Sequence, residues 1–157
     1  MDKKHVHKYL KLKNTLINKA RQIRLKGYQH RGFLVGCATL VFDGTQYRIF
    51  TSANFMPIKG WTKVCAEQGA LVAARNQGAY PLIVAIVVCG EPQPDEESGI
   101  ASPTLHPCGN CRRFFRGFPE VKADTIICTV SVDEKGPQDE CTFFELWQLH
   151  TSEPLAA

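Results

Sequence analysis

The sequence predicts an α/β protein in which a mixed β-sheet is held between helices. Three observations carry that expectation. Asp43-Gly44 separates two β-like runs, which is a strong hairpin signal. Ile83-Val84-Ala85-Ile86-Val87-Val88 is an unbroken apolar run, as expected of a strand covered on both faces. Helical and strand-like segments alternate after the hairpin, the pattern of β-α-β crossovers.

The elements follow in order. Tyr9, Leu12, Leu16, Ala20 and Ile23 recur at three- and four-residue steps, so residues 1–27 read as an amphipathic helix closed by Gly27. This helix is basic: residues 1–26 hold nine Lys or Arg against Asp2 alone, while the rest of the chain is net acidic. A solvated helix face is the ordinary reading of that charge, and a polyanion-binding face the alternative. Phe33 to Phe42 and Gln46 to Ser52 form the hairpin strands. Cys65 to Gln77 reads as a helix stopped by Gly78, with Ala70, Leu71, Ala73 and Ala74 available for packing. The central strand follows at 83–88. Residues 91–105, rich in proline, glycine and acid, read as an exposed loop that can serve as a lid or specificity element. Cys108 to Arg116 reads as a helix, Thr125 to Val132 as another central strand, and Phe143 to Leu149 as a short final helix.

At 157 residues the chain has the length of one well-filled core, and residues 1–157 read as a single domain. No apolar run reaches the roughly eighteen residues of a membrane span, so no membrane association is expected. Seven cysteines and no apolar leader argue against a secreted disulfide framework, which makes the cytoplasm the expected location.

The chemistry is concentrated in Cys65-Ala66-Glu67 and Pro107-Cys108-Gly109-Asn110-Cys111. Zinc takes tetrahedral sulfur or nitrogen ligands, and a catalytic site keeps one position open for water, so three protein ligands is the expected number. Cys65, Cys108 and Cys111 supply three. Each group falls at a predicted helix start, where exposed N–H groups favour thiolate over thiol. Glu67 stands two residues from a ligand and is the candidate proton carrier of a metal-assisted hydrolysis. A redox C-x-x-C pair and a structural zinc site are the competing readings. The latter needs a fourth ligand from His106, Cys37, Cys89, Cys128 or Cys141. Those four further cysteines otherwise read as small buried hydrophobes.

These motifs resemble the cytidine deaminase superfamily, whose signature is a Cys or His, one residue, a Glu, and later P-C-x-x-C. Phe33-Leu34-Val35-Gly36-Cys37-Ala38 is similar to its F-x-V-G-A-A strand, Asn54 stands where its strand-end Asn is found, and Pro107 to Arg112 matches P-C-G-x-C-R. The resemblance covers roughly residues 30 to 116, with a weaker echo at Glu145-Leu146. It implies a three-layer α/β/α sandwich around a five-stranded mixed sheet, and a Zn2+ cofactor. It also implies hydrolytic deamination at C4 of a cytosine ring, with Glu67 moving the protons and the Cys65 and Ala66 backbone orienting the ring. Phe33 is then the candidate for packing near the base, and Asn54 for a sugar contact. A small cytosine nucleoside is the implied substrate and a homotetramer the implied assembly, with a dimer as the alternative. A nucleic-acid substrate is disfavoured, because members with that activity usually carry His at the position of Cys65.

The chain also departs from the family. Family members reading C-A-E usually continue with Arg, and here Gln68 follows. Zn2+ with three thiolates keeps a net negative charge, so Arg112 or Arg113 is the expected compensating cation. Where nucleoside enzymes have N-x-E, this chain has Asn54-Phe55-Met56, and Met56 cannot accept a sugar hydroxyl as a carboxylate does. With Lys59 and Lys63 nearby, a nucleotide or a cytosine-nucleoside antibiotic such as blasticidin S is the alternative substrate. Trp61 is a candidate for the pocket or a subunit boundary. The C-terminal segment has no match to the family's L-L-P-x-x-F.

Overall fold

The computed structural model describes residues 1–29, 32–58, 63–78, 82–95 and 100–155. Helix α1 (Lys3–Arg24) is followed by β1 (Tyr28–Gln29), the hairpin β2 (Gly36–Phe42) and β3 (Tyr47–Ala53), and β4 (Phe55–Met56). Helix α2 (Ala66–Asn76) leads to β5 (Leu82–Gly90), and a small hairpin β6 (Gln93–Asp95) and β7 (Ile100–Thr104) comes next. Helix α3 (Gly109–Gly117), β8 (Ile126–Ser131), β9 (Gln138–Thr142) and α4 (Phe143–His150) complete the chain.

The main sheet has five strands in the order β3-β2-β5-β8-β9. Only β5 and β8 run parallel; the other neighbours are antiparallel, so the sheet is mixed as expected. Helix α1 covers one face: Tyr9, Leu16, Ile17 and Ala20 pack with Ala38, Leu40, Val87 and Cys128. Helices α2, α3 and α4 cover the other, where Leu71, Phe115, Phe143 and Trp147 pack with Val41, Ile83, Ile86 and Ile127. Both faces of β5 are therefore buried, which is why its sequence is apolar without alternation. Its register skips Val84 opposite Leu40 and Val41, a bulge that turns both Val84 and Ala85 toward α1.

At the hairpin turn Gly44 takes φ 98° and Asp43 Oδ1 accepts the N–H groups of Thr45 and Gln46 at 2.9 and 2.7 Å. These bonds hold the Asp43 carboxyl at about 2.

The observed boundaries differ from the sequence expectation in four places. Helix α1 stops at Arg24, before Gly27, and Gly27 instead lies against Asn54, where a Cβ would come within 2.8 Å of Asn54 Oδ1. Strand β2 begins at Gly36, because residues 32–35 form a strap held by side chains. Within the stretch read as a loop, β6 pairs antiparallel with β7. The fifth strand, β9, reads Gln-Asp-Glu-Cys-Thr and offers no apolar pattern, since it is a polar sheet edge. No described helix is long and apolar enough to cross a membrane.

Candidate active site

Cys65 and Cys108 are the N-cap residues of α2 and α3, both with extended backbone, and Cys111 lies in the first turn of α3. The C-x-x-C spacing thus places one sulfur at the cap and the next one turn along the same helix start. Gly69 N–H donates to Cys65 O and Arg112 N–H to Cys108 O, each at 3.0 Å, which closes the first turn of each helix. Gln68 Oε1 accepts the Cys65 N–H at 3.5 Å. Upstream, Val64 and Phe55 exchange two backbone bonds of 2.9 Å, which fixes the run into Cys65.

The three sulfurs lie within 4.8 Å of one another, and no fourth His, Cys, Asp or Glu among the described residues joins them. His106 is engaged elsewhere, its Nδ1 2.8 Å from His150 Nε2 and its Nε2 2.6 Å from Asp139 Oδ2. Sulfurs bound to one tetrahedral zinc at about 2.3 Å stand about 3.8 Å apart. Cys65 Sγ and Cys108 Sγ are 3.8 Å apart, and all seven cysteines are free. This donor set fits zinc with one coordination position left over.

Cys108 is held low by S–H donation from Cys111 and Cys65, and Cys65 is correspondingly pushed up to about 12. Cys111 is raised for the same reason. Glu67, 4 % exposed, rises to about 7, first because it is buried and then because of negative charge at Cys108. A carboxyl in that range is suited to both accepting and delivering a proton near neutral pH.

Cys65, Cys108 and Glu67 lie at the floor of a cavity of about 350 Å³. Cys65, Ala66, Glu67 and Cys108 line it, together with Phe33, Val35, Val88 and Leu105. Gln29, Asn54, Lys63, Glu91, Gln93, Thr104 and His106 add polar wall. Phe33 reaches the cavity on the strap. Asn54 builds that strap: its Nδ2 donates to Phe33 O at 2.8 Å and its Oδ1 accepts Val35 N–H at 2.9 Å. Arg24 Nε donates to Leu34 O at 3.0 Å, and Gln29 Oε1 accepts Phe33 N–H at 3.3 Å.

Three other candidates fall off this wall. Met56 is half-buried in β4, paired with Gln29 of β1. Arg112 is buried with its Nη1 2.7 Å from Pro107 O, where it braces the ligand loop. Arg113 is exposed, its Nη2 2.9 Å from Asn110 Oδ1. Both arginines line a second, smaller cavity between α3 and the C-terminal segment. Among the described residues, Lys63 is the lysine on the main wall. Burial works to lower its pKa, but the combined negative charge of Cys65, Cys108, Cys111 and Glu67 raises it. Lys59 and Trp61 lie outside the described residues. Gln29, Glu91 and Gln93 carry no motif that marks them as cavity residues.

The model of a protein family described as the cytidine and deoxycytidylate deaminase zinc-binding region matches residues 10–128. A cytidine deaminase from Burkholderia pseudomallei is similar in structure, with a TM-score of 0.67 and 25% identity over 85% of this chain and 94% of that one. Cytidine deaminases from Mycobacterium tuberculosis and Mycobacterium leprae share the fold at TM-scores of 0.58 and 0.59. Each is 24% identical over 85% of this chain, covering 91% and 94% of their own. No curated protein sequence matches the chain.

Proposed function

The chain belongs to the cytidine and deoxycytidylate deaminase family, and from that premise we propose that it is a zinc-dependent enzyme that hydrolytically deaminates a free cytosine nucleoside. The observation that carries the reading is a three-sulfur cluster with no fourth described ligand, two of whose cysteines, Cys65 and Cys108, line the cavity beside the buried carboxyl of Glu67. A structural zinc site needs four protein ligands; a catalytic one needs three and access.

Cys65, Cys108 and Cys111 would hold the zinc, which when bound polarises water toward attack on carbon. Glu67 takes a proton from the attacking water and delivers it to N3 of the ring. It then takes the second proton from the hydroxyl now on C4 and carries it to the exocyclic nitrogen; the C4–N bond breaks, the oxygen is left as the C4 carbonyl and ammonia leaves. The Ala66 peptide and Phe33 position the ring. Val35, Val88 and Leu105 exclude bulk water, which strengthens the electrostatics of the transfer.

A cavity of this size suits a single nucleoside rather than a polynucleotide strand. Another small cytosine compound, such as a nucleotide, is the second reading, favoured by Lys63 on the wall. The free thiols fit a reducing, cytoplasmic setting. The assembly in this reading is a homotetramer of the 17.5 kDa chain, measurable by light scattering.

The test is incubation with cytidine, deoxycytidine, CMP, cytosine, a cytosine-nucleoside antibiotic and an oligonucleotide, followed by ultraviolet absorbance. Deamination of cytidine or deoxycytidine is expected. Glu67→Gln should retain zinc and lose at least about a hundredfold in kcat. Near-normal turnover by that variant would remove Glu67 from the mechanism.

A further inference from the structure

In a cytosine ring N1 and C4 are diagonally opposite. A substrate that presents C4 to Glu67 therefore directs whatever N1 carries away from the cavity floor. Burial defines the axis: Cys65, Ala66 and Glu67 are buried, whereas Glu91 and Gln93 are exposed at the mouth. Among the described wall residues two carry carboxyl groups, Glu67 at the floor and Glu91, 57% exposed, at the mouth.

Glu91 has a rigid base. It follows Gly90, the last residue of β5, whose carbonyl accepts the Val132 N–H at 3.2 Å. Arg24 Nη2 stands 3.9 Å from Glu91 Oε1, longer than a hydrogen bond, while Arg24 Nε is committed to Leu34 O. The guanidinium thus leaves the acceptor positions of the Glu91 carboxylate open.

We infer that Glu91 is a specificity-determining residue that accepts hydrogen bonds from the hydroxyls of a sugar attached to N1. The inference rests on the deaminase reading and adds the half of the substrate that the reading leaves open. A carboxylate only accepts, through two oxygens, so it matches a pair of neighbouring hydroxyls and opposes a phosphate in their place.

The test compares kcat/KM for cytidine and 2′,3′-dideoxycytidine, which lacks both hydroxyls, in the zinc-loaded wild type, Glu91→Ala and Glu91→Asp. The wild type should prefer cytidine. Glu91→Ala should reduce that preference at least about tenfold, through a higher KM for cytidine with little change for the dideoxynucleoside. Glu91→Asp should restore part of it, and zinc content should be the same in all three. An equal loss on both substrates would make Glu91 a structural residue of the rim, and an unchanged ratio would equally overturn the assignment. A wild-type chain inactive on every cytosine compound removes the deaminase reading and this inference together. Activity with an unchanged ratio removes the inference alone.

Discussion

Asn54 illustrates how one side chain can shape a cavity wall that it also lines. Its amide bridges Phe33 O and Val35 N–H across the strap, while its own backbone N–H donates to Val35 O at 3.0 Å, and it is 4% exposed. Asn54→Ala leaves a donor and an acceptor of the backbone unpaired, so it should cost about 2 kcal/mol in urea unfolding. It should also raise KM, because Phe33 loses its support. An unchanged midpoint would mean that the strap is held well enough by Arg24, Gln29 and the backbone bond from Asn54 N–H to Val35 O. The same chemistry explains which residues could be read from the sequence. Cys65, Glu67, Cys108 and Cys111 are legible because their relations are local to two helix starts. Arg112 and Arg113 follow Cys111 directly, but successive helix residues are turned by about 100°, so only the fold shows that Arg112 is the one buried against the ligand loop. Gln29 and Glu91 reach the wall only through tertiary packing, of which the sequence carries no local trace.

Helix α1 shows the cost of close approach between elements. A Cβ at Gly36 would stand 2.7 Å from Arg24 N and closer still to Ala20 O, so β2 and α1 touch backbone to backbone. Gly36→Ala should therefore destabilise by about 3 kcal/mol, and a variant as stable as the wild type would show that α1 can shift outward. The other end of α1 carries a pH dependence. His5 is buried, its Nδ1 2.8 Å from Tyr47 Oη, and burial, aided by Lys4, lowers its pKa below 6.5. The unfolded chain then binds the proton first, so His5 contributes stability above 6.5 that is lost as pH falls through the lowered value. Urea midpoints of wild type and His5→Phe should accordingly converge in acid and separate toward neutrality if the Tyr47 bond is worth keeping. A constant difference across that range would mean that His5 does not titrate with folding. The helices and central strands were legible because their burial is periodic or complete. Strand β9 was not, because a polar edge strand is specified by its partner β8 rather than by its own residues.

The arrangement of the whole molecule brings two distant chain segments to one point. Helix α2 precedes the central strand β5 and α3 follows it, and both pack on the same face, so their N-termini meet beside the carboxyl end of β5. The cavity opens there, as ligand sites in open α/β sheets generally do. A metal shared by Cys65 and Cys108 would fasten segments 43 residues apart in sequence. Binding only to the folded form stabilises it by about 2.7 kcal/mol at a hundredfold excess over Kd. For a chain of this size that corresponds to about 5–10 °C in Tm. Treatment with a chelator should produce a loss of that order in the wild type and in Glu67→Gln, and none in Cys111→Ser. The loss should also be local. Helix α1 packs on the opposite face and is tied there by the Tyr9 hydroxyl, which donates to Glu140 Oε2 at 2.6 Å. Hydrogen exchange after chelation should therefore quicken in the first turns of α2 and α3 while the α1 amides keep their protection. Exchange that rises uniformly would instead mean that the metal holds the whole fold together, making Cys65, Cys108 and Cys111 the keystone of both layers rather than a clasp on one.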